Sequence, residues 1–285
     1  MNYLVIKKGQ KAFSLVELMV AMVIGLFLLS GIASSYISSK KSSVHRDQVS
    51  LLEDNGRLAL EVITRSLEHV GYSPVSGVFL ENPFIENLAD VVAETCPDGS
   101  VNVVNTGIFR VAADDDALVQ DTIGVMYYGS DDVFTDCAGN TMDAVVPVGC
   151  RLPDSPLTEA AKIYNSFFIN NADNTLMCSG SRSPAPVVIA DGVENIQFLY
   201  GIENNDDGAV DRYVNATDIN ADAADNLDWA AVVNVQVAIL VRSLKPVKNV
   251  AESESFTLLD TVVVAPNDRF QRAVFSTTVH LHNRL

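Results

Sequence analysis

Basic residues are scarce in this sequence. Lysine and arginine number 19 against 36 aspartate and glutamate residues, which gives a formal net charge of −17. A protein that binds nucleic-acid phosphates needs clustered lysine and arginine, so this composition excludes direct nucleic-acid binding. The acidic balance is instead typical of a polar outer surface.

Catalytic signatures are also missing. The chain has four histidines, which leaves little material for a histidine-based catalytic site. It contains no G-x-S-x-G turn, no Walker loop and no dinucleotide-binding fingerprint. We therefore expect a protein that is not an enzyme, and we interpret Trp229 and Tyr200 as core or interface anchors.

The N-terminal region holds a long apolar run. Three lysines lie within residues 1–12, and Glu17 is the only charged residue in residues 13–39. About 20 apolar residues at 1.5 Å each cover the ~30 Å hydrocarbon core of a bilayer, so residues 13–39 are predicted to span a membrane. Lysines before the run and acidic residues after it predict a cytoplasmic N-terminus.

Two ordinary explanations of this run fit less well. A secretory signal has a shorter apolar region that ends at a small-residue cleavage site, whereas this run continues into a second helical pattern. A simple membrane anchor would not place a carboxylate near its start, because insertion of such a residue costs roughly 2.5–3.5 kcal/mol. Glu17 therefore needs a partner.

The helical pattern continues beyond the membrane segment. Between Lys40 and Val70, apolar residues recur at helical spacing and charged residues fill the other faces. Gly71 and Pro74 form a stop signal. We predict one helix over residues 13–70, about 85 Å long at 1.5 Å per residue, with Gly56 as a weak point or bend.

Residues 71–285 are predicted to form one mostly β head domain. After Gly71, short extended runs alternate with Gly, Pro, Asn and Asp. The fold class is therefore α+β, with a long N-terminal helix packed on a mostly antiparallel head. The predicted strands are Ile108–Ala112, Asp121–Tyr128, Ile163–Ile169, Val187–Ala190, Val193–Gly201, Val232–Arg242, Ser255–Val263 and Arg269–His282.

The start of the chain resembles the class III signal of type IV pilins. The segment KGQKAFSLVELMVAMVIGLFLL carries the resemblance. It implies a basic leader, residues 1–12, that a prepilin peptidase removes on the cytoplasmic side by cutting between Ala12 and Phe13. It also implies N-methylation of Phe13 and places Glu17 fifth in the mature chain.

One residue departs from the pilin pattern. The family usually has glycine immediately before the cut, whereas this chain has Ala12. A cut after Gly9, the nearest glycine, would make Glu17 the eighth residue, so we keep the predicted cut at Ala12–Phe13. The resemblance further implies that Glu17 pairs with the N-terminal amine of a neighbouring subunit, since two buried charges are tolerable only when paired.

The C-terminal third resembles minor pilins of the PilW type. The segments DGVENIQFLYGIENNDDGAVDRYV, AAVVNVQVAILVRS and RFQRAVFSTTVHLHNRL carry this resemblance. It implies a minor pilin that primes type IV pilus assembly and sits at or near the tip. The implied partners are other minor pilins, the major pilin and the inner-membrane assembly platform. Before assembly the head is expected in the periplasm, and afterwards on the pilus.

Two other functions stay open at this point. A pseudopilin of type II secretion would share the N-terminal signal, and genomic neighbourhood would distinguish it. A filament-displayed adhesin or ligand-binding module would use the acidic head to bind a ligand. Such a module would leave pilus assembly intact when the gene is deleted.

The four cysteines all follow the membrane segment. None forms a C-x-x-C pair, which makes zinc and redox-motif interpretations weak. In an oxidising periplasm two disulfides are expected, and the residues alone allow three connectivities. The DCAGN and LMC stretches resemble a pair in PilW-type proteins, which implies Cys137–Cys178 and leaves Cys96–Cys150.

One acidic loop has two interpretations. Five residues stand at positions 1, 3, 5, 6 and 9 of an EF-hand-like pattern: Glu203, Asn205, Asp207, Gly208 and Asp211. Calcium binds such oxygen ligands, but position 12 is Val214 and supplies no bidentate carboxylate. The alternative is a hairpin with an Asp-Gly turn. Calcium is the one cofactor that the sequence suggests.

His280 and His282 lie two residues apart in the last predicted strand and would share one face. A metal site is one interpretation of this pair. The other interpretation is that they are two exposed surface histidines near the end of the chain, with no metal bound.

Overall fold

The computed structural model describes most of the long helix and most of the C-terminal half. The described residues are 14–73, 80, 82–85, 113, 120–129, 135–139, 162–181, 185–205, 208–221 and 228–284. The chain divides into two compact units between Asp47 and Gln48. The predicted strand Ile108–Ala112 lies outside the described residues.

A single helix, α1, runs over Leu15–Glu68. This confirms the long N-terminal helix, and among the described residues it is the one helix long and apolar enough to cross a membrane. It ends close to the predicted stop, because Gly71 follows with a φ of 75°. Tyr72 N–H then donates to the His69 carbonyl at 2.8 Å and closes the turn.

The part of α1 in the second unit is amphipathic. Its buried residues recur every three or four positions, which places them on one face: Gln48, Leu52, Gly56, Ala59, Ile63, Ser66 and Leu67. Gly56 does not interrupt the helix. A Cβ built there would lie 2.5 Å from the Phe275 ring, so the glycine admits that ring against the helix backbone.

Four antiparallel strands form the first sheet in the order β1-β2-β3-β4. Their bounds are Ile123–Tyr128, Lys162–Asn170, Thr175–Gly180 and Val187–Asp191. The sequence pattern predicted the first, second and fourth. It missed β3, whose sequence TLMCSG mixes apolar and small polar residues without alternation.

The second sheet has the order β10-β7-β5-β6 and is also antiparallel. Its strands are Arg272–His280, Val232–Arg242, Val193–Ile202 and Arg212–Val214. The chain passes from the first sheet to the second at Gly192. This residue has a φ of 77°, and a Cβ there would lie 2.5 Å from the Arg242 carbonyl oxygen, so glycine is required.

The prediction of one strand over Ser255–Val263 is wrong. The segment forms a hairpin of β8, Ser255–Leu258, and β9, Thr261–Val264. Leu259 at the turn has a φ of 54°, a conformation uncommon for a non-glycine residue, so the sequence carries little turn signal there. Leu258 packs with Ala238 and Leu240 of β7.

Short helical segments lie before and after the strands of the second sheet. Helix α2 spans Ala216–Ala221, and a 3₁₀ turn over Trp229–Ala231 leads into β7. The Trp229 ring lies 4.8 Å from Tyr200 and 5.0 Å from Phe84, centroid to centroid. All three rings are buried, so Trp229 and Tyr200 are core residues.

Candidate functional site

The first part of α1 presents an apolar surface with one carboxylate. Glu17 lies in the first turn of the helix. The large apolar residues around it and beyond it are more than half exposed: Leu15, Val16, Leu18, Met19, Val20, Met22, Val23, Ile24, Leu26, Phe27, Leu28, Leu29, Ile32, Tyr36 and Ile37. Such a surface is suited to lipid or to other apolar helices rather than to water. Ala12 and Phe13 lie outside the described residues.

The second part of α1 is held at both ends by polar contacts. The Lys245 backbone N–H donates to Gln48 Oε1 at 2.7 Å. At the other end, Asn283 Nδ2 donates to the Glu68 carbonyl at 2.9 Å. Between these contacts, Ile63 and Leu67 pack into the main hydrophobic core. The sequence pattern predicted this buried face but not its two polar ends.

Cys137 and Cys178 form a disulfide, the pairing that the PilW resemblance implies. Their Cα atoms lie 6.2 Å apart, and the bond joins residues 41 positions apart in the chain. Cys178 is buried on β3. Cys96 and Cys150 lie outside the described residues, so the second pairing stays a prediction.

A hydrogen-bond chain holds the disulfide loop, residues 135–139, against the first sheet. The Cys137 N–H donates to Asn165 Oδ1 at 2.9 Å, and Asn165 Nδ2 donates to the Tyr127 hydroxyl at 3.0 Å. The Tyr127 hydroxyl in turn donates to the Thr135 carbonyl at 3.3 Å. The side chains of Asn165 and Tyr127 therefore both have hydrogen-bond partners, as is usual for buried polar groups.

A cleft of about 290 Å³ lies between the end of α1 and the disulfide loop. Burial lowers the pKa of the His69 imidazole. The positive charge of Arg65 lowers this pKa further, whereas the negative charge of Glu68 raises it. Burial also raises the pKa of Tyr127 to about 12, against the hydrogen bond from Asn165. At neutral pH the Tyr127 hydroxyl therefore stays protonated and acts as a hydrogen-bond donor.

An ion-pair network that the sequence pattern did not reveal joins β5 to the start of β10. Arg272 is 4% exposed, and its Nε donates to Glu194 Oε2 at 2.6 Å. Its two terminal nitrogens donate to Asp268 at 2.8 and 2.6 Å. These hydrogen bonds from Arg272 hold the pKa of Asp268 below its usual value. Glu194 and Arg272 are 78 residues apart, so no local pattern could pair them.

The acidic loop connects β5 to β6, as the hairpin interpretation expects. The Asn204 N–H donates to Asp211 Oδ2 at 2.8 Å, and Asn205 Nδ2 donates to Asp211 Oδ1 at 3.1 Å. Glu203 accepts a hydrogen bond from the Gly208 N–H. The structure thus brings three of the four predicted ligands, Glu203, Asn205 and Asp211, into one loop.

The fourth predicted ligand, Asp207, lies outside the described residues. In the part of the chain that the structure describes, no group of three or more His, Cys, Asp and Glu residues is arranged to hold a metal ion. Calcium binding by this loop stays a prediction.

Two family models match the chain, one at each end. Residues 166–283 match the PilW family, described as type IV pilus-assembly protein W. Residues 7–33 match the prokaryotic N-terminal methylation motif. The first match begins within β2 and ends after β10. The second includes the predicted cleavage junction and Glu17.

Among solved structures, a type IV-like pilin from Thermus thermophilus is similar to this chain at 14% identity. The alignment covers 82% of this chain and 96% of that chain, with a TM-score of 0.41. No curated protein matches the sequence. The two family matches point to a structural role: residues 166–283 are similar to the PilW family of type IV pilus-assembly proteins, and the start of the chain carries a prepilin-type N-terminal signal.

Proposed function

We propose that this chain is a minor pilin that helps to prime type IV pilus assembly and is incorporated at or near the pilus tip. The observation that carries the proposal is the exposed apolar surface of α1, which contains a single carboxylate, Glu17. This surface is stable in lipid or against other apolar helices. It therefore suits a subunit that leaves the membrane and enters a filament.

Glu17 is proposed to select the position of each incoming neighbour. A cut between Ala12 and Phe13 leaves a charged amine on Phe13, four residues before the carboxylate. An unpaired carboxylate in the apolar phase costs roughly 2.5–3.5 kcal/mol on insertion scales, and an amine from a neighbouring subunit offsets that cost. The pair would form only when two helices reach the correct register.

The features of the head favour a type IV pilus subunit over a pseudopilin of a type II secretion system. Its C-terminal region matches a pilus-assembly family, and its disulfide fits the oxidising periplasm. We propose that the head stays in the periplasm and the N-terminus in the cytoplasm until assembly. Prepilin peptidase, other minor pilins, the major pilin and the inner-membrane assembly platform would be the partners.

The test of the assembly role compares the Glu17→Ala variant with the unaltered chain. Each is expressed in a strain from which the gene has been deleted. We expect Glu17→Ala to insert into the membrane at a normal level and to be absent from sheared filaments, measured by immunoblotting both fractions. Glu17→Gln should behave similarly, because charge rather than hydrogen bonding forms the pair. Glu61→Ala, an exposed carboxylate later in α1, is the matched control and should enter filaments normally. Normal incorporation of Glu17→Ala would contradict the proposal.

Priming and tip location need their own readouts. Deletion of the chain should lower the number of surface pili and the co-purification of other minor pilins. Immunogold labelling of the head should lie at filament ends; labelling along the whole shaft would exclude a tip location. Mass spectrometry of the mature chain should show a methylated Phe13 as its first residue.

A further inference from the structure

His280 and His282 lie side by side at the end of the edge strand β10. His280 is the last residue of that strand, and His282 begins the 3₁₀ turn His282–Arg284. The prediction that both lie in one strand is therefore wrong, because the strand ends between them. Their ring centroids are nevertheless 5.2 Å apart, with ring planes at 86°, and both side chains are exposed.

This separation matches that of two imidazoles on one tetrahedral ion. A zinc–nitrogen bond of about 2.0–2.1 Å places the ring centroid about 3.2 Å from the metal. Two rings at the tetrahedral angle then have centroids about 5.2 Å apart, whereas a right angle at a square-planar ion gives about 4.5 Å. The observed distance agrees with the tetrahedral case.

The backbone that carries both rings is held in place. His280 pairs with Asn234 in the β10–β7 ladder. Leu281 is 1% exposed, and its N–H donates to the Val233 carbonyl at 2.9 Å. After His282, Asn283 donates through Nδ2 to the Glu68 carbonyl at 2.9 Å. Because the backbone is fixed on both sides, metal binding needs to order only two side chains.

We propose that His280 and His282 together bind one divalent transition-metal ion, with Zn²⁺ as the best match to their spacing. Neutral imidazole nitrogens suit zinc, copper and nickel, whereas calcium takes oxygen ligands, so this site is separate from the acidic loop. Among the described residues no third His, Cys, Asp or Glu completes the site. Water or a ligand from a neighbouring molecule fills the other positions.

The test is a calorimetric titration of the full chain in detergent micelles with ZnCl₂, using a purification tag without histidine. We expect one saturable site per chain. His280→Asn and His282→Asn should each weaken binding by about tenfold or more, because the second imidazole binds intramolecularly once the first is engaged. His45→Asn, an exposed histidine on α1, is the matched control and should leave the affinity unchanged.

A second measurement separates a shared site from two independent rings. In electron paramagnetic resonance of the Cu²⁺-loaded chain, we expect two coordinated imidazole nitrogens in the parent chain and one in either variant. Each variant should keep its metal-free melting temperature, since both side chains are exposed. The absence of saturable binding, unchanged affinity in both variants, or one coordinated imidazole in the parent chain would overturn the proposal.

Discussion

The two parts of α1 share one continuous helix but differ in what covers them. Between Leu15 and Asp47 the large apolar side chains are exposed, and Ile32 is 67% exposed. Between Gln48 and Glu68 the apolar side chains of one face are buried, and Ile63 is 0% exposed. Burial of apolar surface contributes about 25 cal/mol per Å². The second part therefore gains stability from its own chain, whereas the first part depends on surroundings that lie outside it.

A matched pair of isoleucine substitutions gives the largest expected difference. Ile63→Ala should destabilise the compact unit by about 2–5 kcal/mol, because it removes buried methyl groups and leaves a cavity. Ile32→Ala should leave the unfolding of that unit unchanged. Urea unfolding followed by fluorescence measures both, since the single tryptophan, Trp229, is buried in this unit. Equal effects of the two changes would contradict the division of α1.

A matched pair of glycine substitutions sharpens the same comparison. Gly56→Ala adds a Cβ that would lie 2.5 Å from the Phe275 ring, whereas nothing lies within 4 Å of a Cβ at Gly31. We expect Gly56→Ala to cost about 1–3 kcal/mol, as overpacking of a core does, and Gly31→Ala to cost nothing in the unfolding of the compact unit. The measurement is again urea unfolding.

The Phe275 ring is the specific obstacle to that substitution. Combining Gly56→Ala with Phe275→Leu should therefore cost less than the sum of the two single changes in a double-mutant cycle. Strict additivity would mean that the cost of Gly56→Ala does not come from its contact with the Phe275 ring.

The sequence pattern predicted the features that depend on local periodicity. Helical spacing and the Gly71 stop located the C-terminal end of α1 to within two residues. Extended runs between Gly, Pro, Asn and Asp residues located β5 and β7. The hairpin between β5 and β6 was one of two interpretations of the acidic loop, and the pairing of the two strands agrees with it. These features depend on residues close together in the chain, so one sequence is enough to detect them.

The features that were missed depend on contacts between distant residues. The Arg272–Glu194 pair and the contact of Phe275 with Gly56 join separate elements, and neither has a local pattern. The turn at Leu259 was missed for a different reason, because leucine rarely adopts a positive φ. The choice of Cys137–Cys178 came from a family resemblance, since the residues alone left three connectivities open.

Acid should destabilise the compact unit through Asp268. Hydrogen bonds from Arg272 lower the pKa of this carboxyl in the folded chain, and burial acts in the opposite direction. A lowered folded-state pKa gives stability that is present above the unfolded value of about 3.9 and is lost as pH falls through the folded value. We therefore expect the urea midpoint to fall below about pH 4. In the Asp268→Asn variant, the urea midpoint should change less as the pH falls below about 4. At pH 7 this variant should be less stable than the parent chain.

The matched change Asp260→Asn, in the exposed turn of the β8–β9 hairpin, controls for the loss of one negative charge. Asp268→Asn and the parent chain should differ in the steepness of the acid transition. Identical transitions would mean that the Arg272 network does not contribute to the acid sensitivity of the unit.

The smallest expected effect lies on the exposed face of the same packed part of α1. Glu53 and Arg57 form an ion pair at 4.0 Å with side chains 54% and 77% exposed. Exposed helical pairs of this kind contribute about 0.3–0.5 kcal/mol, so Glu53→Gln should change the unfolding free energy by no more than that. A loss above about 1 kcal/mol would mean that something covers this face, since exposed pairs do not reach that value. The second part of α1 would then depend on a neighbour, as the first part does.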